Sequence, residues 1–439
     1  VLIAPHDPRG AKKSRPVAPA PAVVQTGVHR ATAPERNSTM LRLSKSAQNM
    51  RTSEIRDLMS VAIDPDIISF AGGMPNQDLF PIAEVDEIYQ HLPLKTKQEG
   101  FQYGPTGGYP PLLESLSRFL ESKGLPVKDN QLIITTGSLQ AINLIAKIML
   151  DPGDVAITET PCFIGAISAF KSYQAELVGV PMDADGVIAG KLRQALDAYQ
   201  ERCKLVYLTP NFHNPAGTIY NRERRREVLT LLQGRNVILV EDDAYNDLYF
   251  DESDRDLTRP LKAMGTEPVP ICYCGSFSKI FGPGMRLGWL LASKEIVRQC
   301  EVAKQSMDAC SSTFTQMLAN EFLVQDRLPE YLQHIRPIYK RRCERLLESL
   351  QKFMPAGVAW NRPKGGFYIW VKLPEGMDAT EVLKKAIPLG AVFVVGKTFD
   401  PNGTANDHLR LSFCHMPEDK MEKGVQIIAA AIQAVQAGR

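Results

Sequence analysis

From about residue 130 onward, apolar runs of strand length alternate with stretches of helical spacing. Leu132 to Thr136 is a short β-branched run that stops at Gly137, and a helical pattern follows from Ser138 to Leu150. The strand-like run at Val155 to Thr158 precedes a helix starting near Phe163. Lys204 to Leu208 reads as a buried strand, Thr209 to Gly217 as a loop, Arg222 to Gln233 as a helix and Val237 to Glu241 as the next strand. Further strands are expected at Ile271 to Cys274 and Leu287 to Ala292. Long helices then dominate from Lys294 to about Met354. The rest reads as a strand after Gly365-Gly366, a helix over Thr380 to Ile387, strands at Val392 to Val395 and Leu409 to Phe413, and a last helix from Pro417 to about Gln436. This order predicts an α/β fold: a mostly parallel sheet covered by helices, then a smaller C-terminal α/β domain. In such sheets ligands gather beyond the carboxyl ends of the strands. Several polar motifs of this chain stand just there.

The length of 439 residues agrees with more than one domain. The expected division is 1–49 as a flexible leader or extension, 50–75 as a segment covering the active site, 76–325 as a large domain and 326–439 as a small one. The leader is basic and Pro-rich, with a transit peptide as the alternative, and it lacks the apolar core of a secretory signal. A formal charge of +2 gives no reason to expect nucleic acid or an acidic membrane as partner. No apolar run reaches the roughly 18 to 20 residues of a spanning helix. The eight cysteines are scattered, unlike a disulfide scaffold, so reduced thiols in a cytoplasmic enzyme are the plain reading. Cys272 and Cys274 would share one strand face, but no further ligand completes a metal site, and none is expected.

Three motifs carry the chemistry. Gly275-Ser276-Phe277-Ser278-Lys279 places a lysine among small residues, where its amine can form an imine with an aldehyde. Arg286 follows seven residues later, and with Ser276 and Ser278 it supplies donors and charge for a phosphate. Asn211-Phe-His-Asn214-Pro-Ala-Gly217 follows one buried strand, and Glu241-Asp242-Asp243-Ala-Tyr245 follows the next. Alone, each would read as turn or core.

In this order and spacing they resemble the fold-type I enzymes that use pyridoxal 5′-phosphate (PLP), and within them the class I aminotransferases. The segment Ile68-Ser-Phe-Ala-Gly-Gly73-Met-Pro-Asn is similar to the kynurenine/2-aminoadipate branch. The resemblance implies that Lys279 anchors PLP and then acts as general base. It implies Asp242 on the pyridinium nitrogen, the three-residue spacing to Tyr245 selecting it over Asp243. Tyr245 and Asn214 would bond the ring's phenolic oxygen. Ser138 and Leu139, at a helix start that favours anions, would join Ser276, Ser278 and Arg286 around the phosphate. Phe163 would stack on the ring. Arg410 would grip the substrate carboxylate beside Asn214 and Gly73, and Arg56 would receive an acidic side chain. Tyr103 would reach the phosphate of a partner subunit, which implies a homodimer with shared active sites. The implied reaction is ping-pong exchange of the amino group between an L-amino acid of 2-aminoadipate, aromatic or branched-chain type and a 2-oxo acid, 2-oxoglutarate. A lyase or decarboxylase on the same scaffold, or a PLP-binding regulator domain, are the alternatives.

Overall fold

The computed structural model describes residues 43–49, 58, 64, 66–265, 269–403 and 406–438. Residues Ser44 to Arg439 fall in one compact unit. Its strands are numbered here in chain order: β1 Ile68–Ser69, β2 Gln131–Thr135, β3 Val155–Thr160, β4 Glu176–Asp183, β5 Gly186–Val187, β6 Cys203–Leu208, β7 Ile238–Asp242, β8 Ile271–Ser276 and β9 Gly288–Ala292. Then follow β10 Ala359–Trp360, β11 Tyr368–Lys372, β12 Ala391–Val392, β13 Val394–Val395 and β14 His408–Ser412.

The large sheet has the order β2-β9-β8-β7-β6-β3-β4-β5. Its centre, from β4 through β3, β6 and β7 to β8, is parallel. Strand β9 runs antiparallel to both β8 and β2. Strand β2 therefore points the same way as β8, and β9 begins at the edge where the others end. That one edge collects the chain just after β2, β3, β6, β7 and β8, and just before β9. All five connections carry a residue singled out above.

The central strands are buried on both sides, which is why they read as unbroken apolar runs. Cys272 and Cys274 lie in the same apolar cluster, as alternation along β8 requires. Burial pushes the Cys272 thiol up to about 12, so it stays protonated. Among the described residues no three His, Cys, Asp or Glu side chains gather as metal ligands. No helix of the described residues is long and apolar enough to cross a membrane.

The C-terminal part is a four-stranded sheet, β10-β11-β14-β13, all of it antiparallel. Helix Arg327–Phe353 packs on helix Glu418–Ala437 beside it. The expected single strand over Val392 to Val395 is two: β12 pairs with β1, and β13 pairs with β14. Phe393, fully buried, marks the switch between sheets. Strand β4 and the helices Ile82–His91, Pro110–Ser122 and Ala189–Tyr199 add to the expected elements. The pairing of β1 with β12 and the bond from Ser412 N–H in β14 to Phe70 O tie the segment before Gly73 to the C-terminal part.

Candidate active site

A cleft of about 320 Å³ opens at the carboxyl edge of the large sheet. It is lined by Gly73, Gly137, Ser138, Leu139, Phe163, Thr209, Asn214, Asp242, Ala244, Tyr245, Ser276, Ser278, Lys279, Arg286, Tyr368 and Arg410. Of the described residues expected from sequence, one is not brought there. Tyr103 is 83% exposed and does not line the cleft of its own chain. Arg56 lies outside the described residues.

At one end the chain leaves β2 through Gly137, the N-cap of helix Ser138–Met149, with φ 80°. Ser138 is thus the first helical residue rather than the cap. No side chain caps this helix, so its first N–H groups face the cleft as anion donors. A Cβ on Gly137 would stand 2.9 Å from Arg286 Nη2, so only glycine lets that guanidinium lie against the turn. Arg286 Nη2 donates to Thr136 O at 3.1 Å. A second layer holds Thr136: its N–H donates to Gln140 Oε1, and its hydroxyl and Gln140 Nε2 both donate to Asp308 Oδ2. The fully buried Lys304 amine donates to Asp308 Oδ1 at 2.8 Å. On the other side of the cup Ser276 Oγ accepts from Ser278 N at 3.1 Å.

Asp242 ends β7 in the middle of the sheet. Its Oδ2 accepts from Tyr207 at 2.7 Å, whereas its Oδ1 is buried with no hydrogen-bond partner among the described residues. An unpartnered carboxylate oxygen in a cleft calls for an N–H donor from outside the chain. Desolvation raises the Asp242 pKa to about 6, the Tyr207 bond opposing it. Asp243 faces elsewhere: Asn211, Asn246 and Tyr273 donate to its two oxygens at 2.9 Å each.

Lys279 closes a short 3₁₀ turn after β8. Its Nζ donates to Gly73 O at 3.1 Å and lies 5.7 and 5.8 Å from the ring centres of Tyr245 and Phe367. Burial brings its pKa down to about 8, with the Arg410 and Arg286 charges adding to the effect and Cys414 opposing it. A pKa near 8 leaves roughly a tenth of the amine neutral at pH 7, against roughly 3 in 10,000 for an ordinary lysine. Only the neutral amine attacks an aldehyde. The rate of PLP uptake by cofactor-free protein should therefore rise with pH and level off above about 8, as stopped-flow absorbance would record. A rate still climbing tenfold per unit at pH 9.5 would contradict this.

Arg410 projects from β14 and is almost fully buried. Nη1 donates to Asn214 Oδ1 at 2.9 Å and Nη2 to Ala71 O at 2.6 Å, while Nε has no partner. It meets no carboxylate among the described residues. A buried guanidinium held only by neutral oxygens is a site waiting for an anion. Since a guanidinium only donates, Asn214 must turn its carbonyl oxygen to Arg410, which leaves its NH₂ for the cleft.

Thr209, Ala244 and Tyr368 line the cleft and Tyr207 bonds Asp242, yet none of the four was singled out from the sequence. Tyr207 and Tyr368 sit inside strands, where an aromatic reads as packing, and Thr209 lies in a loop read only for its Asn-Pro turn. The signal that bears on Tyr368 is the Gly365-Gly366 pair before it: a Cβ at either position would press on Phe212.

The profile of the family described as "Aminotransferase class I and II" matches residues 65–428. The chain belongs to this family. An aromatic-amino-acid aminotransferase of Thermococcus litoralis is 36% identical over 394 residues, covering 89% of this chain and 94% of that one. A 2-aminoadipate transaminase of Thermus thermophilus is 33% identical, covering 90% and 97%. A crystal structure of the Pyrococcus horikoshii kynurenine aminotransferase, complexed with PMP, superposes with a TM-score of 0.85 at 37% identity, covering 89% and 97%. The aminotransferase is a fold-type I enzyme of the kynurenine/2-aminoadipate branch, and its cofactor is PLP. The residues present fit that group: Asp242 Oδ1 lacks the donor that a pyridinium N–H supplies, and the open helix start faces Arg286 across Gly137.

Proposed function

We propose that this aminotransferase takes the amino group of an L-amino acid of 2-aminoadipate, aromatic or branched-chain type and passes it to 2-oxoglutarate in a ping-pong sequence. The observation that carries the reading is Arg410, a buried guanidinium without a carboxylate, in the same cleft as an amine held near pKa 8. The names of the relatives point to the same substrate class.

PLP supplies an aldehyde that captures amino groups and a ring that accepts electrons from the substrate's α-carbon. The chain supplies the rest. Asp242 binds the ring nitrogen and keeps it protonated through Oδ1, with Tyr207 fixing the carboxylate from Oδ2. Ser138, Leu139, Ser276, Ser278 and Arg286 hold the phosphate, and Phe163 covers the ring. The Asn214 amide and the Tyr245 hydroxyl donate to the phenolic oxygen. Arg410 receives the substrate α-carboxylate, which sets the α-carbon beside Lys279. Lys279 Nζ, neutral in part at physiological pH, would be the base that accepts the proton of the substrate α-carbon.

Tyr103 supports a homodimer in which each chain completes the other's phosphate site: an 83% exposed tyrosine in a Gly-rich loop suits contact with a second copy. The division into a large and a small domain is assigned to residues 325 and 326, where Asp326 adopts a left-handed turn before helix Arg327–Phe353. Eight free cysteines support a reducing compartment such as the cytoplasm.

The test is an absorbance titration of the PLP-loaded protein with a panel of L-amino acids. Adding a good donor alone should abolish the near-visible band and release one equivalent of 2-oxo acid, and 2-oxoglutarate should restore the band. Stoichiometric ammonia or carbon dioxide in place of the 2-oxo acid would overturn the reading.

A further inference from the structure

One polar contact in the cleft has no part in the roles above. The hydroxyls of Tyr245 and Tyr368 stand 3.1 Å apart, their rings edge to face at 5.9 Å. Both residues are buried. Among the described residues the Tyr368 hydroxyl makes no other hydrogen bond. A Cβ on Gly73 would collide with that oxygen, so glycine is what lets the hydroxyl stand there. The Tyr368 ring also lies 4.4 Å from the Arg410 guanidinium carbon, and the Phe399 ring lies 4.9 Å from it.

We propose that Tyr368 is a positioning residue of this active site, whose hydroxyl sets the direction of the Tyr245 proton and whose ring braces Arg410. The inference rests on the roles given to Tyr245 and Arg410 above. Its logic is that of a pair of hydroxyls, each with one proton. Tyr245 can donate into the cleft only if it does not give its one proton to Tyr368. Tyr368 has no competing acceptor among the described residues, so its proton goes to the Tyr245 oxygen. The opposite arrangement would spend the Tyr245 proton on a neutral partner. Once an oxyanion is in reach that arrangement loses, because charge-assisted hydrogen bonds are roughly twice as strong as neutral ones. A hydroxyl that accepts one bond is also a better donor of the next, by about 10–30%. Burial raises the pKa of both phenols, so both protons are retained.

The ring has a separate task. Aromatic faces hold a guanidinium by cation–π attraction and leave its N–H edge free. With Ala71 O and Asn214 Oδ1 fixing two nitrogens, the aromatic contacts stop the plane from tilting.

The experiment compares PLP-loaded wild type, Tyr245→Phe, Tyr368→Phe and the double variant by pH titration of the near-visible band. Removing the Tyr245 hydroxyl should raise the midpoint. Removing that of Tyr368 should raise it by roughly 10–30% of the same shift. The double variant should titrate with Tyr245→Phe, because Tyr368 acts through Tyr245. Tyr368→Leu, which loses the ring, should raise the KM for amino acid about tenfold more than Tyr368→Phe does. A Tyr368→Phe protein that titrates as wild type, or whose shift survives undiminished in the Tyr245→Phe background, overturns the hydroxyl's role. Equal KM values for the Phe and Leu variants overturn the ring's role. An unmoved midpoint in Tyr245→Phe alone marks failure of the underlying Tyr245 assignment, and the proposal falls with it.

Discussion

Replacing Lys279 by alanine should yield a folded protein that binds PLP without a near-visible band and turns over at least ~10³-fold more slowly. The amine is asked to do two things, and alanine does neither. In the proposed reaction it is both the nucleophile that anchors the cofactor and the base beside the α-carbon; general base catalysis alone contributes roughly 10²–10⁴-fold. Lys279 also donates to Gly73 O, so the variant loses one modest hydrogen bond of about 1 kcal/mol, too little to unfold the chain. The measurement is an absorbance spectrum before and after borohydride, with mass analysis of the protein. A band that borohydride still fixes to the variant chain would move the anchor to another lysine.

Asp242→Asn should have nearly as large an effect on turnover, with the opposite effect on the empty fold. Asparagine keeps an oxygen for Tyr207 but cannot hold a positive ring nitrogen, and losses of about 10²–10³-fold or more are expected in kcat. In the cofactor-free protein the wild-type carboxylate is a burden. Its pKa is raised to about 6 from the usual 3.8, mainly by desolvation. The folded state therefore binds the extra proton between these values. The stability it brings is complete below about 3.8 and is lost as pH rises through about 6. The penalty above that window is about 3 kcal/mol in order of magnitude. Cofactor-free Asp242→Asn should melt above wild type at pH 8, and the gap should shrink as the pH falls toward 4. A constant gap would show that Asp242 does not carry the burden.

Much of this site was legible because its residues obey a sheet rule. Ser138, Phe163, Asn214, Asp242 and Ser276 each follow an apolar run that the sequence marks as a strand. The parallel centre and the antiparallel β9 then bring them, with Arg286, to one edge. Other features were hidden for physical reasons. Tyr207 and Tyr368 belong to buried strands, and alternation tells which face a residue takes but not that a cleft lies on it. Lys304 sits in a helix with other basic residues, yet it is fully buried because Asp308 meets it one turn later. The break of Val392 to Val395 into two sheets depends on β1, some three hundred residues earlier, which no local pattern announces. Tyr103 lies outside the cleft of its own chain, and the proposed homodimer would give it a second copy to meet.

The stretch Ala71 to Gly73 is held by β1 to the C-terminal part. Its first carbonyl takes Arg410 Nη2, and its last takes Lys279 Nζ. Two cations thus hang from one short rail, the one proposed to meet the carboxylate end of the substrate and the other its amino end. A shift of the rail that improves the grip on the carboxylate also displaces the resting point of the amine. Recognition of an amino acid as an amino acid, by both of its ends at once, is therefore built into the backbone as well as into the side chains.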